Sequence, residues 1–510
     1  MTCDEDGDIS MKRIVVVGGG VAGLGAAYKV RRAAEVGNDV DVTLVEKDER
    51  LGGKLATEII EDPETGGTFV VDGGSDAFIS EKTAVHRVAK LLGIFDDETP
   101  TVDENKKTLI VKGSRLIEMP DGIMMFAPTK MVPMATTRLY SWPAKFRMAL
   151  DLVIPKKKVK PGELNDETLE HFVVRRMGRE CLDRLAEPLV GGVHASDPTK
   201  MSLAATFPNL LDMEQKYGSL IRGFLAQRKK VEEIKRKYPP KPGQKRRTFF
   251  TSFLLGMQYF TEKLADAIGR EKIRAGVSVT GIERTGDGGW SVSLSDGDVL
   301  SADAVILATE AWAAEELVRH IDVAIADRLA EIPVSSSATV PIAFKAEDCP
   351  FDTKWFGILC PIVENRPLMA ITMSSSKWPE RAPEGTVLMR GFVGGPRNQD
   401  IMQKSGEEII EIVRQQMVEM LGVKPDAKPI FARVFRWTKG MPQYTIGHLD
   451  RIAEIEERVS DIPGLALAGG SYRGVGIPNC IESGEKAVSK VLGEWGIDLA
   501  EDHVEEKRLY

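Results

Sequence analysis

The sequence predicts an α/β fold in which a discontinuous Rossmann-like domain is built from both ends of the chain. Near the N-terminus an apolar run, Arg13 to Val17, leads through glycines into helix-forming residues, and a second junction of strand, glycines and helix begins at Leu465. Between these ends, residues with helical spacing are followed by segments of alternating hydrophobicity. A mostly helical domain and an α+β sheet domain are therefore predicted as insertions.

The N-terminal junction has the pattern of a dinucleotide-binding turn. In that pattern Gly18 permits a tight turn, Gly20 lets the backbone approach a pyrophosphate, and Gly23 lets the helix pack on the strand. Glycines that follow a strand are often only a turn, so the motif needs support from its context. The residues predicted to hold the pyrophosphate are Gly18, Gly19, Gly20, Val21, Ala22, Gly23 and Leu24.

The following strand supplies that context. A second apolar run, Val40 to Val45, ends in Glu46, at about the 20-residue distance expected of a carboxylate that binds a ribose hydroxyl. A carboxylate at this place favours a free ribose over a 2′-phosphate. The segment Arg50 to Lys54 then brings glycines and cations that can close over the same phosphates. We therefore predict a bound dinucleotide.

Composition limits the function classes. A chain of 510 residues predicts two or three domains, and its net charge of −8 argues against nucleic acid as a partner. The five cysteines are an odd number without a Cys-x-x-Cys spacing, so neither a disulfide framework nor a metal site is expected, and a reducing cytoplasm is favoured. The sequence has no apolar run of membrane-spanning length and no basic, apolar leader, so we expect neither secretion nor a membrane span.

Two segments in the middle of the chain leave alternatives open. Residues 228–247 carry ten Lys or Arg and two acids, which is typical of a solvated helix end and loop, although the segment could steer an acidic substrate. The Met-rich segment from Gly122 to Pro155 is expected to be mostly core, with a peripheral membrane contact or an apolar ligand wall as the alternative.

The domain boundaries follow from these patterns. Hairpin strands from Val277 to Leu294 and the buried run Ala304 to Thr309 predict a return to the first sheet. We place the discontinuous domain at residues 10–84, 255–310 and 450–495, the mostly helical domain at 85–225, the sheet domain at 311–449 and a basic connecting segment at 226–254.

The C-terminal junction indicates which dinucleotide is bound. A short strand, Leu465 to Ala468, enters a glycine-rich turn, and a helix begins near Pro478 with its positive dipole end toward that turn. Two anion-binding helix ends, far apart in sequence, fit FAD better than a nicotinamide cofactor. The second helix end would then lie at the flavin edge where negative charge gathers on reduction.

With these motifs the chain resembles the porphyrinogen oxidases of the flavin amine oxidase superfamily, in particular the bacterial HemY type that acts on coproporphyrinogen III or protoporphyrinogen IX. The resemblance covers nearly the whole chain. The matching segments are GGGVAGLGAA at 18–27, RLGGKL at 50–55, EPLVGGVHASDPTKMSLAATFP at 187–208, FRWTKGMPQYTIGH at 435–448 and GGSYRGVGIPNCIESG at 469–484.

The resemblance implies a non-covalent FAD, a porphyrinogen substrate and molecular oxygen as the acceptor, with hydrogen peroxide formed in each of three two-electron oxidations. It assigns no catalytic acid or base, because the flavin accepts the hydride. Beyond the glycine turn, the FAD ligands that it implies are Glu46, Lys47, Gly53, Lys54, Gly73, Gly74, Ser75, Asp76, Val279, Trp437, Val475, Gly476 and Ile477.

Two cations are candidates for binding substrate propionates through charge-assisted hydrogen bonds. Lys82 matches a basic family position, with a surface lysine as the alternative, and Arg176 belongs to a basic pair that could instead form a buried ion pair with Glu180 or Glu187. The sequence does not decide between coproporphyrinogen III and protoporphyrinogen IX, although it favours the first. Another flavin oxidase, a flavin-dependent nucleotide-sugar mutase and a redox-inert flavin-binding protein are the alternatives.

Overall fold

The computed structural model describes residues 11–160, 162, 164–237, 248–396 and 398–498. Its architecture is α/β, with parallel and antiparallel sheets and many helices. The strands are β1 (Lys12–Val17), β2 (Val40–Val45), β3 (Thr57–Glu61), β4 (Thr68–Asp72), β5 (Phe78–Ile79), β6 (Glu98–Pro100), β7 (Thr108–Lys112), β8 (Arg115–Glu118), β9 (Ile123–Met124), β10 (Ala127–Pro128), β11 (Phe250–Phe253), β12 (Ile273–Arg274), β13 (Val279–Arg284), β14 (Trp290–Leu294), β15 (Val299–Ala302), β16 (Ala304–Leu307), β17 (Val334–Lys345), β18 (Gly357–Leu359), β19 (Leu368–Met373), β20 (Thr386–Gly394), β21 (Phe431–Ala432), β22 (Phe435–Pro442) and β23 (Leu465–Leu467).

The helices include several short ones in the first half of the chain, and a π-helical turn, Leu182–Ala186, separates the sixth from the seventh. They are α1 (Val21–Glu35), α2 (Ala84–Leu91), α3 (Met131–Thr136), α4 (Trp142–Ala149), α5 (Leu169–Arg176), α6 (Arg179–Cys181), α7 (Glu187–His194), α8 (Leu203–Thr206), α9 (Pro208–Tyr217), α10 (Leu220–Lys237), α11 (Met257–Ile268), α12 (Ala311–Val318), α13 (Val323–Ala330), α14 (Ser374–Lys377), α15 (Gly406–Leu421), α16 (His448–Ser460) and α17 (Ile477–Glu494).

A parallel sheet of five strands joins the two ends of the chain. Its order is β12-β2-β1-β16-β23, and each neighbouring pair is parallel. Alternate residues of β1 enter two different cores: Ile14 and Val16 pack in the core beneath α1 and α17, while Val15 and Val17 pack in the core that includes α12, α13 and α16. Burial on both faces explains the unbroken apolar run that the sequence shows here.

A larger mixed sheet forms the second layer. Its order is β21-β17-β20-β19-β18-β7-β8, and β22 also pairs with β17. The antiparallel pair of β17 and β20 contains the alternating segments that predict this sheet. Two of its strands, β7 and β8, come from residues 85–225, where the sequence predicts mostly helix, because β7 pairs in parallel with β18 from the distant segment.

The helical region has a core of its own, which contains Phe126, Phe172, Leu185 and Phe224. Within the Met-rich segment, Met134 and Met148 are buried, Met124 and Met125 are half-buried, and Met131 is exposed. None of the helices in the described ranges is long and apolar enough to cross a bilayer. Of the basic segment, α10 extends to Lys237, and residues 238–247 lie outside the described residues.

Arg176 lies at the centre of this region as a fully buried side chain. Its guanidinium donates to the Asp151 carboxylate at 2.7 Å and to the carbonyl oxygens of Asp151, Ile154 and Gly218 at 2.8 to 3.0 Å. Glu214 lies 3.4 Å away. Because the guanidinium is fully buried and bonded within the protein, it is not available to a substrate propionate, in contrast to the prediction. Arg176 instead forms the buried ion pair that was the alternative interpretation of the sequence. Its partners are Asp151 and Glu214, and not Glu180 or Glu187.

Removal of the Asp151 carboxylate tests this structural role. Asp151→Ala removes the nearer of the two carboxylates from a buried guanidinium and leaves only Glu214 at 3.4 Å, and we expect it to lower the free energy of unfolding by about 3 to 5 kcal/mol. The matched control is Glu64→Ala, which breaks an exposed ion pair with Lys345 and should cost about 1 kcal/mol or less. Urea unfolding followed by circular dichroism measures both. Equal stability of the two variants would contradict a structural role for Arg176.

Candidate dinucleotide-binding site

The glycine turn after β1 has the geometry that its spacing predicts. Gly18 has a φ of +107°, and a Cβ there would lie 2.8 Å from the carbonyl oxygen of Ala308. A Cβ at Gly23 would overlap the carbonyl oxygen of Gly18. Gly20 differs, because a Cβ there would meet nothing within 4 Å. The tight turn and the close helix packing are thus present, and the space above Gly20 is open for a ligand.

A second loop closes against this turn. Gly52 donates its N–H to the carbonyl oxygen of Gly19 at 2.8 Å, and Gly53 lies against Gly20. Arg50 holds the loop from within, because its guanidinium donates to the carbonyl oxygens of Leu51 and Leu55 at 3.0 Å and to that of Gly53. The loop geometry predicted for residues 50–54 is therefore present.

Glu46 directly follows β2 and faces the glycine turn. Its carboxylate accepts the N–H groups of Gly19 at 2.5 Å and Asp48 at 3.0 Å, and it retains acceptor capacity for a ribose hydroxyl. Lys47 is exposed beside it. Val279 pairs with Leu294 in the antiparallel sheet, and Val277, two residues earlier, donates its N–H to the Glu46 carbonyl at 3.0 Å.

The C-terminal junction reaches the same edge of the parallel sheet. Gly476 is the N-cap of α17, and neither α17 nor α1 has a side chain that caps its first turn. The free N–H groups of both helices therefore point toward the edge where β1 and β23 end, which is a setting that binds anions. Val475 is half-buried beside the helix start and Ile477 is buried in its first turn.

The segment Gly73–Asp76 is fixed by the large sheet. The carbonyl oxygen of Gly73 accepts hydrogen bonds from the Thr339 hydroxyl and from the Trp437 indole, the latter at 3.1 Å. A Cβ at Gly74 would overlap the Lys54 carbonyl oxygen, so this segment also touches the second loop. Ser75 is exposed at the turn. The structure thus brings Lys54, Gly73, Gly74 and Trp437 together.

Asp76 behaves differently from its neighbours. Its carboxylate is buried among Lys377 at 3.0 Å, the Trp378 indole at 3.1 Å and Arg390 at 3.4 Å. Burial alone would raise the pKa of Asp76, but the two cations and the indole hold that pKa well below its usual range. One oxygen of the Asp76 carboxylate, Oδ2, is therefore held by the two cations and the indole.

Two residues at the sheet edge were not predicted as site residues. Glu310 follows β16, forms an ion pair with Lys54 and accepts a hydrogen bond from Ser471 at 3.3 Å. Thr309, next to Gly18, has a buried hydroxyl with no partner among the described residues. Thr309 is the last residue of the predicted buried run and Glu310 follows it, and this position is the signal that could have identified both, because parallel strands end at one edge.

Lys82 lies close to the start of α17. Its ammonium donates to the Asn479 side-chain oxygen at 2.5 Å, and the residue is exposed. Asn479 belongs to the first turn of that helix. The cation is thus held next to the predicted flavin end of the site, whereas Arg176 lies within the helical core.

FAD fits the open space above Gly20 and the two uncapped helix starts. A pyrophosphate fits the open space above Gly20 and the uncapped start of α1, and the flavin end matches the uncapped start of α17. The orphaned hydroxyl of Thr309 lies between them at the sheet edge. Cys480, in the first turns of α17, has a thiol whose pKa burial raises to about 11, so it is a poor nucleophile for a covalent link.

Comparisons with known proteins cover nearly the whole chain. A family model described as flavin containing amine oxidoreductase matches residues 21–492. Coproporphyrinogen III oxidase from Bacillus subtilis (strain 168) is 31% identical over 487 residues, which is 94% of this chain and 98% of that protein. Mitochondrial protoporphyrinogen oxidase from Nicotiana tabacum is 26% identical over 507 residues, 96% of each protein.

A solved structure gives the same result at the level of the fold. It comes from Exiguobacterium sp. 255-15, is provisionally assigned as a protoporphyrinogen oxidase, and superimposes with a TM-score of 0.81 at 28% identity. The superposition covers 96% of this chain and 100% of that one. The family model and the superposition each cover nearly the whole length of this chain. The chain therefore belongs to the flavin-containing amine oxidoreductase family.

Proposed function

We propose that this protein is an FAD-dependent porphyrinogen oxidase of haem biosynthesis, with coproporphyrinogen III as the favoured substrate and protoporphyrinogen IX as the next. The observation that carries the proposal is 31% identity to a coproporphyrinogen III oxidase over 94% of the chain. The site supports the use of FAD independently, since the pyrophosphate and the flavin each have a matching helix start. Each porphyrinogen would lose six electrons in three two-electron steps, with oxygen reduced to hydrogen peroxide.

The chain's own residues would bind and orient the cofactor. The N–H groups after Gly20 would hold the pyrophosphate, Glu46 would bind the ribose, and the Lys54 and Glu310 pair would border the phosphate side. The start of α17, at Val475 and Gly476, would stabilise negative charge at the flavin edge. Bound FAD supplies the hydride acceptor, and no protein acid or base is assigned to a step.

Substrate charge is the second element of the proposal. Coproporphyrinogen III has four propionates and protoporphyrinogen IX has two, so additional cations should favour the first. Lys82 remains a candidate ligand of a substrate propionate, because Asn479 holds its ammonium beside the helix start that would face the flavin. The helical region and the large sheet would together enclose the porphyrinogen.

The finer architecture belongs to the same proposal. The parallel sheet with α1 and α17 would form a discontinuous FAD domain, into which the helical region and the sheet region are inserted. Non-covalent FAD and a location in the cytoplasm complete the proposal. Among the described residues, the cysteines Cys181, Cys349, Cys360 and Cys480 are free thiols, which fits a reducing compartment.

Turnover with both porphyrinogens tests the proposed function. We expect the FAD-loaded protein to oxidise coproporphyrinogen III faster than protoporphyrinogen IX, with about three oxygen molecules consumed per porphyrin formed. Porphyrin fluorescence and an oxygen electrode measure this against a control without enzyme. Formation of no porphyrin from either substrate would contradict the proposal and would favour another flavin oxidase or a nucleotide-sugar mutase.

A pair of lysine variants in the same assay tests the propionate site. Lys82→Gln removes the cation beside α17, and we expect KM for coproporphyrinogen III to rise on the order of tenfold with kcat little changed. Lys428→Gln is the matched control, since Lys428 is also an exposed lysine and is distant from Lys82 in the sequence. If the two variants have the same KM, Lys82 does not bind substrate.

A further inference from the structure

A group of buried charges includes the last residue of the segment Gly73–Asp76. The Asp76 carboxylate contacts the Lys377 ammonium at 3.0 Å and the Arg390 guanidinium at 3.4 Å. The exposed fractions of these three side chains are 14%, 12% and 5%. We call the three residues the Asp76 cluster. Because the pKa of Asp76 is held well below its usual range, the carboxylate is ionised, and two cations with one anion give the cluster a net charge of +1.

The neighbouring buried charges compensate each other. The Arg381 guanidinium forms an ion pair with the Asp72 carboxylate at 3.1 Å, and their side chains are only 1% and 4% exposed. This pair adds no net charge to the region. The excess positive charge therefore belongs to Lys377 and Arg390, which share the single carboxylate of Asp76.

The two cations of the Asp76 cluster are incompletely satisfied by the protein. Among the described residues, Asp76 is the one hydrogen-bond acceptor of the Lys377 ammonium, whose other neighbours are the rings of Phe250 and Trp378 at 5.2 and 5.0 Å. The Nε–H of Arg390 is buried and has no partner in the described part of the chain. A buried excess charge of this kind costs free energy unless a negative group comes near it.

The chain from Gly73 to Lys82 connects this cluster to the flavin end of the predicted site. At its start, a Cβ at Gly74 would lie 3.2 Å from the Trp437 indole and would overlap the carbonyl oxygen of the second loop. At its end, Lys82 donates to Asn479 in the first turn of α17. The cluster therefore belongs to a segment whose two ends both contact the predicted cofactor site.

The loop into α17 is held separately, by Tyr444. The Tyr444 hydroxyl donates to the carbonyl oxygen of Gly470 at 2.6 Å and accepts the N–H of Gly474 at 2.8 Å. Its ring stacks on His448 with the centroids 4.0 Å apart. None of these contacts involves the Asp76 cluster, so a change of charge in the cluster leaves this support of the helix start in place.

We propose that the Asp76 cluster raises the midpoint potential of the bound flavin, and that Lys377 supplies the excess positive charge. Reduction by two electrons places negative charge on the flavin, and a nearby buried cation stabilises that reduced form. Low exposure limits the screening of this charge by water and salt. The inference rests on the FAD binding of the proposed function, and it holds for either porphyrinogen.

A series of charge variants tests the proposal on the FAD-loaded protein. Lys377→Gln removes a positive charge, and we expect the preference for reduced over oxidised flavin to fall about tenfold, which lowers the midpoint potential of a two-electron couple by about 30 mV. Asp76→Asn removes a negative charge and should raise the potential by a similar amount. The double variant K377Q/D76N restores the net charge and should return the potential close to that of the wild type. Flavin absorbance against a reference dye measures each potential.

Two controls separate charge from packing. Lys377→Arg keeps the positive charge on a different side chain. Lys345→Gln removes a lysine of the same large sheet, where it forms an exposed ion pair with Glu64. We expect both controls to have the potential of the wild type, because neither changes the net charge of the Asp76 cluster. Circular dichroism checks the folding of every variant.

Several results would overturn the proposal. Shifts of the same sign in Lys377→Gln and Asp76→Asn would report a distorted site instead of an effect of charge. Equal potentials of the wild type and both single variants would overturn this inference while the proposed function stands. Loss of folding or of FAD in both single variants would show a structural role alone. A wild-type chain that binds no FAD would overturn the proposed function together with this inference.

Discussion

Parallel pairing of β16 with both β1 and β23 is the constraint on which the rest of the molecule depends. It places the carboxyl ends of strands from both ends of the chain at one edge, so that Gly20 and Gly476 each start a helix there. Close packing of those helices is needed to keep them in place. A Cβ at Gly484 of α17 would overlap the carbonyl oxygen of Ala22 of α1, so the two backbones touch.

The large sheet holds the other side of the same site. Arg390 of β20 donates to the carbonyl oxygens of Asp72 and Gly74 at 2.7 Å, and it pairs with Asp76. Trp437 of β22 bonds Gly73 from the next element of that sheet. The segment Gly73–Asp76 and the large sheet are thus connected by buried, charge-assisted hydrogen bonds, which are stronger than neutral ones. Movement of the large sheet would therefore displace the segment Gly73–Asp76.

Local sequence patterns were sufficient to predict the backbone of the site's N-terminal and C-terminal segments. The glycine turn, Glu46, the Arg50–Lys54 loop and the Pro478 helix start all lie in short segments whose backbone geometry the residues themselves determine. The family and its FAD also follow from the sequence, and the comparisons confirm both. The individual cofactor contacts and the domain boundaries stay predictions.

Long-range partners could not be predicted from the sequence. Arg176 has the same local setting whether it binds a substrate or a buried carboxylate, and its partner Asp151 lies in a different segment. Strands β7 and β8 are short, and only their pairing next to β18 identifies them as part of the large sheet. Tyr444 could not be connected to Gly470 and Gly474 without the fold.

The most direct test of the central claim is the affinity of the apoprotein for FAD in two glycine variants. A Cβ at Gly20 or at Gly493 meets nothing within 4 Å, so both positions have room for the first side-chain carbon of a valine. If the pyrophosphate lies above Gly20, Gly20→Val should weaken FAD binding by about a hundredfold, measured by flavin fluorescence quenching, while Gly493→Val binds like the wild type. Equal affinity of the two variants would contradict the claim.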